Sequence, residues 1–183
     1  MSYKDSITSA MTELGKDKDA LFIGYGIRHG KAMGTLAGVR ETQLLETPIA
    51  ENLMVGLAIG LSLRGKKPVV FIERADFLLN ALDAIVNHLV KIELMSRKQF
   101  KPACILRIIV GNKAKPLFTG ETHTQDFMAG FRALVHEKCA KPMSVVRLVS
   151  QDPPDYIAGT FRLAHDALAH GHSTAVFEMK DDY

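Results

Sequence analysis

Glu51 is the side chain in this sequence best placed to do chemistry. It follows the pair Thr47-Pro48 and precedes an apolar run from Leu53 to Leu63 that only Ser62 interrupts. Proline fits the first turn of a helix, so the pair predicts that Glu51 lies in that turn, where the helix dipole favours a negative charge. Burying a carboxylate there is costly unless something pairs with it or uses it. Glu51 therefore either serves only the helix start or acts on another group.

His123 is the second candidate. It lies in the polar segment Gly120–Asp126, between a predicted strand and a predicted helix. In one interpretation Thr122 or Thr124 caps the following helix and His123 is incidental. In the other interpretation, His123 has a functional role. The spacing by itself favours the first interpretation.

Two other places offer weaker signals. Gly24-Tyr25-Gly26 follows the first predicted strand, but it lacks the later glycine of a phosphate-binding fingerprint. An unrelated nucleotide-binding, flavodoxin-like domain would need such a loop. His165, His170 and His172 lie at or just after the end of a predicted helix, where histidine suits the negative pole of the dipole, and we expect no metal site there.

Alternating helix and strand patterns supply the scaffold for these residues. The predicted helices are Ser6–Leu14, Ile49–Leu63, Asp76–Ile92, Gln125–Leu134 and Pro154–Ala169, and the predicted strands are Ala20–Gly24, Gln43–Glu46, Pro68–Glu73, Ala103–Val110, Ser144–Val149 and Thr174–Glu178. Continuous apolar strands separated by helices predict an α/β fold, a three-layer sandwich with a mostly parallel central sheet covered by helices on both faces. We expect one domain over residues 1–183. Ligands of such sheets bind at the carboxyl ends of the strands, and the candidate residues fall there.

Composition narrows the class of protein. A formal charge of +3, spread along the chain, does not indicate nucleic-acid binding, and the basic stretch at 97–101 is typical of a solvated loop. Cys104 and Cys139 have no metal or redox spacing and suit a reduced compartment. The polar N-terminus and the absence of an apolar run of membrane-spanning length predict a soluble, cytoplasmic protein.

The segment from Glu46 to Phe77 resembles the pyrimidine-binding domain of thiamine-diphosphate enzymes. The shared features are Thr-Pro-x-x-Glu, a glycine-spaced apolar helix, a strand and an Ala-Asp-aromatic turn. The resemblance is closest to the beta subunits of 2-oxoacid dehydrogenase decarboxylase components, with transketolase more distant, and it returns at Gly120–Gln125 and Thr174–Glu178.

The resemblance implies roles for the candidate residues. Glu51 would share a proton with a ring nitrogen of the cofactor's aminopyrimidine, which requires a carboxylate held away from water. His123 would lie over the substrate side of the cofactor, as a proton donor or a ligand for the substrate's carboxylate or carbonyl group. The related proteins have a stacking aromatic residue where this chain has Arg74, so this guanidinium would stack on the ring or bind an acidic substrate, with Phe71 or Phe77 supplying an aromatic ring. A surface arginine paired with Glu73 or Asp76 is the alternative.

Tyr25 or Ile27 would also touch the cofactor. The family binds the diphosphate through Mg²⁺ with a Gly-Asp-Gly and a later asparagine, and this sequence contains no such motif. It also ends soon after Glu178, before the third domain of the relatives. We therefore expect half a site, completed by a diphosphate- and magnesium-binding alpha-type subunit in an alpha2beta2 heterotetramer.

The expected enzyme is a split decarboxylase, carboligase or transketolase-like protein that acts on a 2-oxo acid or ketose and is inactive as this chain alone. A large dehydrogenase complex is less favoured. The alternative is a non-catalytic binding or regulatory module that retains the fold, which the arginine at position 74 favours.

Overall fold

The computed structural model of the protein describes residues 1–113, 120–136, 142–180 and 183. Cys139, and Thr119 in the loop before His123, lie outside them. The α-helices are α1 (Tyr3–Leu14), α2 (Glu51–Leu63), α3 (Ile92–Met95), α4 (Met128–His136) and α5 (Pro154–Leu168), and the strands are β1 (Ala20–Gly24), β2 (Leu44–Glu46), β3 (Lys67–Ile72), β4 (Ile105–Val110), β5 (Ser144–Leu148) and β6 (Thr174–Met179). Every predicted strand is present, with its ends within two residues of those predicted.

The six strands form one parallel sheet in the order β2-β1-β3-β4-β6-β5. Because all strands run the same way, the segments that follow them meet at one edge, which we call the carboxyl edge. Glu51, Arg74 and His123 all follow strands at this edge. The parallel sheet predicted from the sequence is confirmed.

Helices cover both faces of the sheet. On one face α2, α4 and the segment 75–90 enclose a core that includes Val55, Leu106 and Phe177. On the other face α1, α5 and the loop after β1 enclose a second core that includes Met11 and Phe161. Strand residues alternate between the two cores because successive side chains point to opposite faces. The predicted three-layer sandwich is therefore confirmed.

The prediction of one continuous helix over Asp76–Ile92 is wrong. The chain forms a 3-10 helix at Ala75–Ala81, a π-helix at Asp83–Leu89 and only then the short α3. The side-chain Oδ1 of Asn52 in α2 accepts a hydrogen bond from the Ala84 N–H at 3.1 Å. The Asn52 side chain thus binds a backbone amide of the segment 75–90. This segment departs from regular α-helical geometry where it packs on α2.

The helix after the Thr-Pro pair also begins later than predicted. Its first residue is Glu51, and Ala50 at the N-cap position offers no side-chain cap. Pro48 and Ile49 therefore belong to the approach to the helix. Over the described ranges, no helix combines the length and the apolar character needed to cross a membrane.

Candidate functional site

Glu51 is a buried carboxylate at the start of α2. The residue is 3% exposed, and Asn80 Nδ2 donates a long hydrogen bond of 3.4 Å to its Oε2. The chain reaches this point from β2, where the Thr47 N–H donates to the Gly24 carbonyl oxygen at 2.9 Å. The carboxylate is thus fixed at the carboxyl edge and shielded from water. A group held in this way can share a proton with a ligand in a setting where hydrogen bonds are electrostatically strong.

Three buried side-chain atoms at the same edge have no hydrogen-bond partner among the described residues. They are Thr47 Oγ1, Arg74 Nε and Asp76 Oδ2. Buried polar atoms are normally satisfied, and each unsatisfied one costs about 1–3 kcal/mol. A hydroxyl, a guanidinium N–H and a carboxylate oxygen together offer both donors and acceptors. The edge is therefore suited to a ligand that has both kinds of group.

His123 is held against the 3-10 helix that follows β3. Its ring meets the Phe77 ring edge-to-face, with 5.2 Å between centroids, and its Nδ1 lies 3.0 Å from Thr122 Oγ1. Gln125 Nε2 donates to Asp76 Oδ1 at 2.9 Å, which joins the same two segments a second time. The structure therefore brings Phe77 and His123 together.

Two local features set the position of the His123 loop. A Cβ atom added to Gly111 would lie 1.6 Å from the His123 carbonyl oxygen, so only glycine permits this approach of the loop to the end of β4. The N–H of Met128, the first residue of α4, donates to Asp126 Oδ1 at 3.1 Å. Asp126 therefore serves the helix start. The interpretation in which Thr122 or Thr124 caps this helix is wrong.

Arg74 is buried, with 5% of its surface exposed. Its Nη1 donates to the backbone carbonyl of Glu73 and lies 3.7 Å from the Glu73 carboxylate. The expected pairing with Glu73 is present, but the expectation of a surface residue is wrong. An arginine at the end of an interior strand can only stay out of water if neighbouring groups or a ligand satisfy its N–H groups.

Tyr25 lies on a different part of the same edge. It follows β1 and is 45% exposed, whereas Glu51 and Arg74 are buried. The loop is fixed by the Glu46 carboxylate, which accepts hydrogen bonds from the N–H groups of Gly26 at 2.5 Å and Arg28 at 2.8 Å. Tyr25 is therefore on an anchored but solvent-facing loop.

Sequence reasoning missed Asn80, which contacts Glu51, and used Thr47 only as a turn marker. Asn80 lies in the segment predicted as a regular helix, so its direction relative to α2 could not be read from periodicity. In the described ranges, no group of three His, Cys, Asp or Glu side chains is arranged to hold a metal ion.

Comparison with known proteins assigns the fold to a family. The family model described as "Transketolase, pyrimidine binding domain" matches residues 1–115. The chain belongs to this family. The resemblance recognised in the sequence is thereby confirmed, and the matched region contains Glu51, Arg74, Phe77 and Tyr25.

Several relatives of this pyrimidine-binding domain are beta subunits. The beta subunit of the pyruvate dehydrogenase E1 component from Saccharomyces cerevisiae mitochondria is 29% identical over 165 residues, which is 84% of this chain and 44% of the relative. The 2-oxoisovalerate dehydrogenase beta subunit of Bacillus subtilis is 29% identical over 117 residues, 61% of this chain and 36% of the relative. The chain thus spans less than half the length of these two proteins.

A solved structure supports the same fold. The protein described as "Split gene transketolase, inactive beta4 tetramer" superposes with a TM-score of 0.69 over 97% of this chain and 50% of that one, at 17% identity. The chain is therefore a pyrimidine-binding domain of the type found in thiamine-diphosphate-dependent dehydrogenase beta subunits and transketolases. Its family implies thiamine diphosphate as the cofactor, and the unpartnered Thr47 and Asp76 oxygens at the carboxyl edge fit the polar groups of an aminopyrimidine.

Proposed function

We propose that residues 1–183 form one domain that supplies the pyrimidine half of a thiamine diphosphate site. A partner subunit of the alpha type would supply the diphosphate and Mg²⁺ half, in an alpha2beta2 heterotetramer. The enzyme would be a decarboxylase, carboligase or transketolase-like protein acting on a 2-oxo acid or ketose, and this chain alone would be inactive. Thiamine diphosphate, when bound, supplies a carbon nucleophile for attack on a carbonyl group.

The observation that carries the proposal is the buried Glu51 carboxylate. It lies at the carboxyl edge, is 3% exposed, and has unsatisfied polar atoms of Thr47 and Asp76 at the same edge. A carboxylate in this position would hydrogen-bond a pyrimidine ring nitrogen and hold the shared proton there. The burial matters because water would otherwise compete for both the carboxylate and the proton.

An uncovered apolar surface on α2 supports the idea of a partner subunit. Leu53 is 53% exposed and Leu63 is 43% exposed, on the same helix that Glu51 begins. Between them, added Cβ atoms on Gly56 and Gly60 would meet nothing within 4 Å. The spacing puts these four residues on one face of α2. An apolar face with two glycines would let another chain approach α2 closely.

The remaining site residues receive roles from their positions. His123 would donate a proton to the substrate or bind its carboxylate or carbonyl group, since Phe77 holds its ring at the edge of the site. The face of the Arg74 guanidinium would stack beside the pyrimidine in place of an aromatic residue. Phe77 would add an apolar wall, and Tyr25 would contact the cofactor from the exposed loop after β1.

The test uses the chain with its partner. We would co-express it with the neighbouring reading frame that encodes Gly-Asp-Gly and a later Asn, and measure turnover that depends on thiamine diphosphate and Mg²⁺. Glu51→Gln should lower kcat by about 10²–10⁴-fold, the range typical of lost proton-transfer catalysis. The matched control is Glu13→Gln, at a side chain that is 64% exposed on α1, which should leave turnover unchanged. Unchanged turnover in Glu51→Gln would refute the role of Glu51.

A non-catalytic binding or regulatory module is the second candidate. The buried arginine at the position where relatives have an aromatic residue favours it, because the cofactor pocket is altered there. This candidate predicts no thiamine-dependent turnover with any such partner. It would also follow if no neighbouring frame with a diphosphate-binding motif exists.

A further inference from the structure

Arg74 has an unsatisfied donor that points to a ligand. The residue is 5% exposed, and its Nε–H is buried with no hydrogen-bond partner in the described part of the chain. Its Nη1 is occupied by the Glu73 carbonyl oxygen. The face of a guanidinium can stack on a ring, but stacking does not satisfy the N–H groups, which lie in the plane and require acceptors. An oxygen atom with negative charge is the acceptor that suits this donor best.

A second cation approaches from β6. Across the neighbouring strands β3, β4 and β6, Ile72 pairs with Ile108 and Ile108 pairs with Phe177. Two residues further along the chain, the backbone of Arg74 is level with that of Met179, which precedes Lys180. β3 and β6 are separated only by β4, so the two backbones lie about 10 Å apart, which two long side chains can bridge. Burial lowers the pKa of Lys180, and the positive charge of Arg74 lowers it further.

Among the described residues, the carboxylates around these two cations are partly exposed or partly engaged by other groups. Glu73 lies 3.7 Å from Arg74, but its side chain is 41% exposed and therefore screened by water. Asp126 is engaged by Arg147 at 2.6 Å. One oxygen of Asp76 accepts from the Gln125 side chain. None of these carboxylates, nor any other described group, supplies an acceptor for the buried Arg74 Nε–H, and an anionic ligand would supply one.

We propose that Arg74 and Lys180 form a subsite for the anionic group of the substrate, a carboxylate or a phosphate. The proposal rests on the function proposed above, because it assigns the ligand to the substrate of that site. His123 belongs to the same stretch of the edge, since its carbonyl oxygen contacts Gly111 at the end of β4, the strand between the two cations. An anion held here would bring the substrate beside the candidate proton donor.

The first test needs neither cofactor nor partner. In the ¹⁵N-labelled chain, the Arg74 Nε–H resonance is followed during titration with inorganic phosphate or with pyruvate at constant ionic strength. We expect saturable displacement of this resonance by at least one of the two anions. Tighter binding of phosphate would indicate a phosphorylated substrate, and tighter binding of pyruvate a 2-oxo acid.

Variants separate a built subsite from general attraction of anions. Lys180→Gln should weaken binding of the preferred anion by about 10- to 100-fold, the value of one charge-assisted hydrogen bond. The control is Arg64→Gln, at an exposed arginine that ends α2, which should leave the affinity unchanged. Absence of any displacement of the Arg74 resonance, or equal weakening by Lys180→Gln and Arg64→Gln, would overturn the proposal.

The second test uses the assembled enzyme. Arg74→Gln should raise the KM for the substrate by about 10- to 100-fold and raise the requirement for thiamine diphosphate by much less. An equal rise in the cofactor requirement would overturn the assignment to substrate, because Arg74 would then serve the cofactor. Thiamine-dependent turnover that is lost in Glu51→Gln but insensitive to Arg74→Gln would refute the subsite alone. Anion binding without any thiamine-dependent turnover would refute the proposed function alone.

Discussion

Replacing Arg107 by methionine is expected to destabilise the fold by about 3–5 kcal/mol. Arg107 in β4 is 1% exposed and forms two parallel hydrogen bonds with Glu178 of β6, Nε to Oε1 at 2.7 Å and Nη2 to Oε2 at 2.8 Å. Its Nη1 donates to Thr35 Oγ1 at 3.1 Å, and Nη2 donates to the Tyr183 hydroxyl at 3.3 Å. The guanidinium thus joins two central strands to the loop after β1.

The magnitude follows from what the substitution leaves behind. Methionine is similar in length and apolar, so little volume is lost, but the Glu178 carboxylate would remain 0% exposed with only the Tyr183 hydroxyl as its donor among the contacts described. A charge stranded in the core is the expensive outcome, whereas replacing both partners by apolar residues is often neutral. The double variant Arg107→Met/Glu178→Leu should therefore recover most of the lost stability, so that the two substitutions are strongly non-additive.

The assay is urea unfolding followed by far-UV circular dichroism, with a thermal melt as a second readout. At about 2–4 °C per kcal/mol for a chain of this size, the single variant should lower Tm by about 6–20 °C. Lys16→Met is the matched control, because it breaks an ion pair whose side chains are 70% and 64% exposed and should change stability little. A loss in Arg107→Met no larger than in Lys16→Met would refute the reasoning, as would a double variant less stable than the single one.

Three further predictions concern other parts of the fold. Gly111→Ala should displace the His123 loop, because the new Cβ would overlap the His123 carbonyl oxygen, and amide hydrogen exchange in the loop should become faster. Gly130→Ala is the control, because a Cβ added there meets nothing within 4 Å, and it should leave the exchange unchanged. Burial lowers the pKa of His165, so the imidazole of the unfolded chain is protonated at a higher pH than that of the folded chain. The free energy of unfolding should therefore fall as the pH drops below about 6.5. Urea titrations at several pH values should show a smaller fall in His165→Leu. Burial raises the pKa of Cys104 to about 12, so iodoacetamide at neutral pH should modify this thiol only after denaturation, as peptide mapping would detect.

Each of these has a contrary outcome. Equal protection of the loop in the two glycine variants would mean that the close approach is not required. If the free energy of unfolding falls equally with decreasing pH in His165→Leu and in the parent protein, protonation of His165 does not cause the loss of stability at acidic pH. Rapid alkylation of the native protein at Cys104 would mean that the strand opens to solvent.

The sequence was most informative where the physical cause is local. Apolar runs of strand length predicted the four interior strands β1, β3, β4 and β6, because an interior parallel strand is buried on both faces and needs no polar alternation. The Thr47-Pro48 pair predicted a helix start next to Glu51 to within two residues. The expectation of a site at the carboxyl edge then followed from general rules of α/β folds, whereas the strand order was known only from the structure.

The segment after β3 shows where local reasoning failed. Its composition favours a helix, yet it begins as a 3-10 helix and continues as a π-helix, because it packs on α2 and the Asn52 side chain binds its Ala84 amide. Asn80 consequently reaches Glu51, a contact between residues 29 positions apart that periodicity does not encode. Tertiary packing overrode local preference.

Sequence by itself determined the fold class, the family and the position of Glu51 at the head of an apolar helix, because those depend on local pattern and on a compact motif. Tertiary structure decided the environments. It buried Arg74 with an unsatisfied N–H, set His123 against Phe77 and left Tyr25 exposed. The physical reason is that an arginine, a histidine or a tyrosine is compatible with water or with the interior, and the choice depends on which distant segments meet at the carboxyl edge.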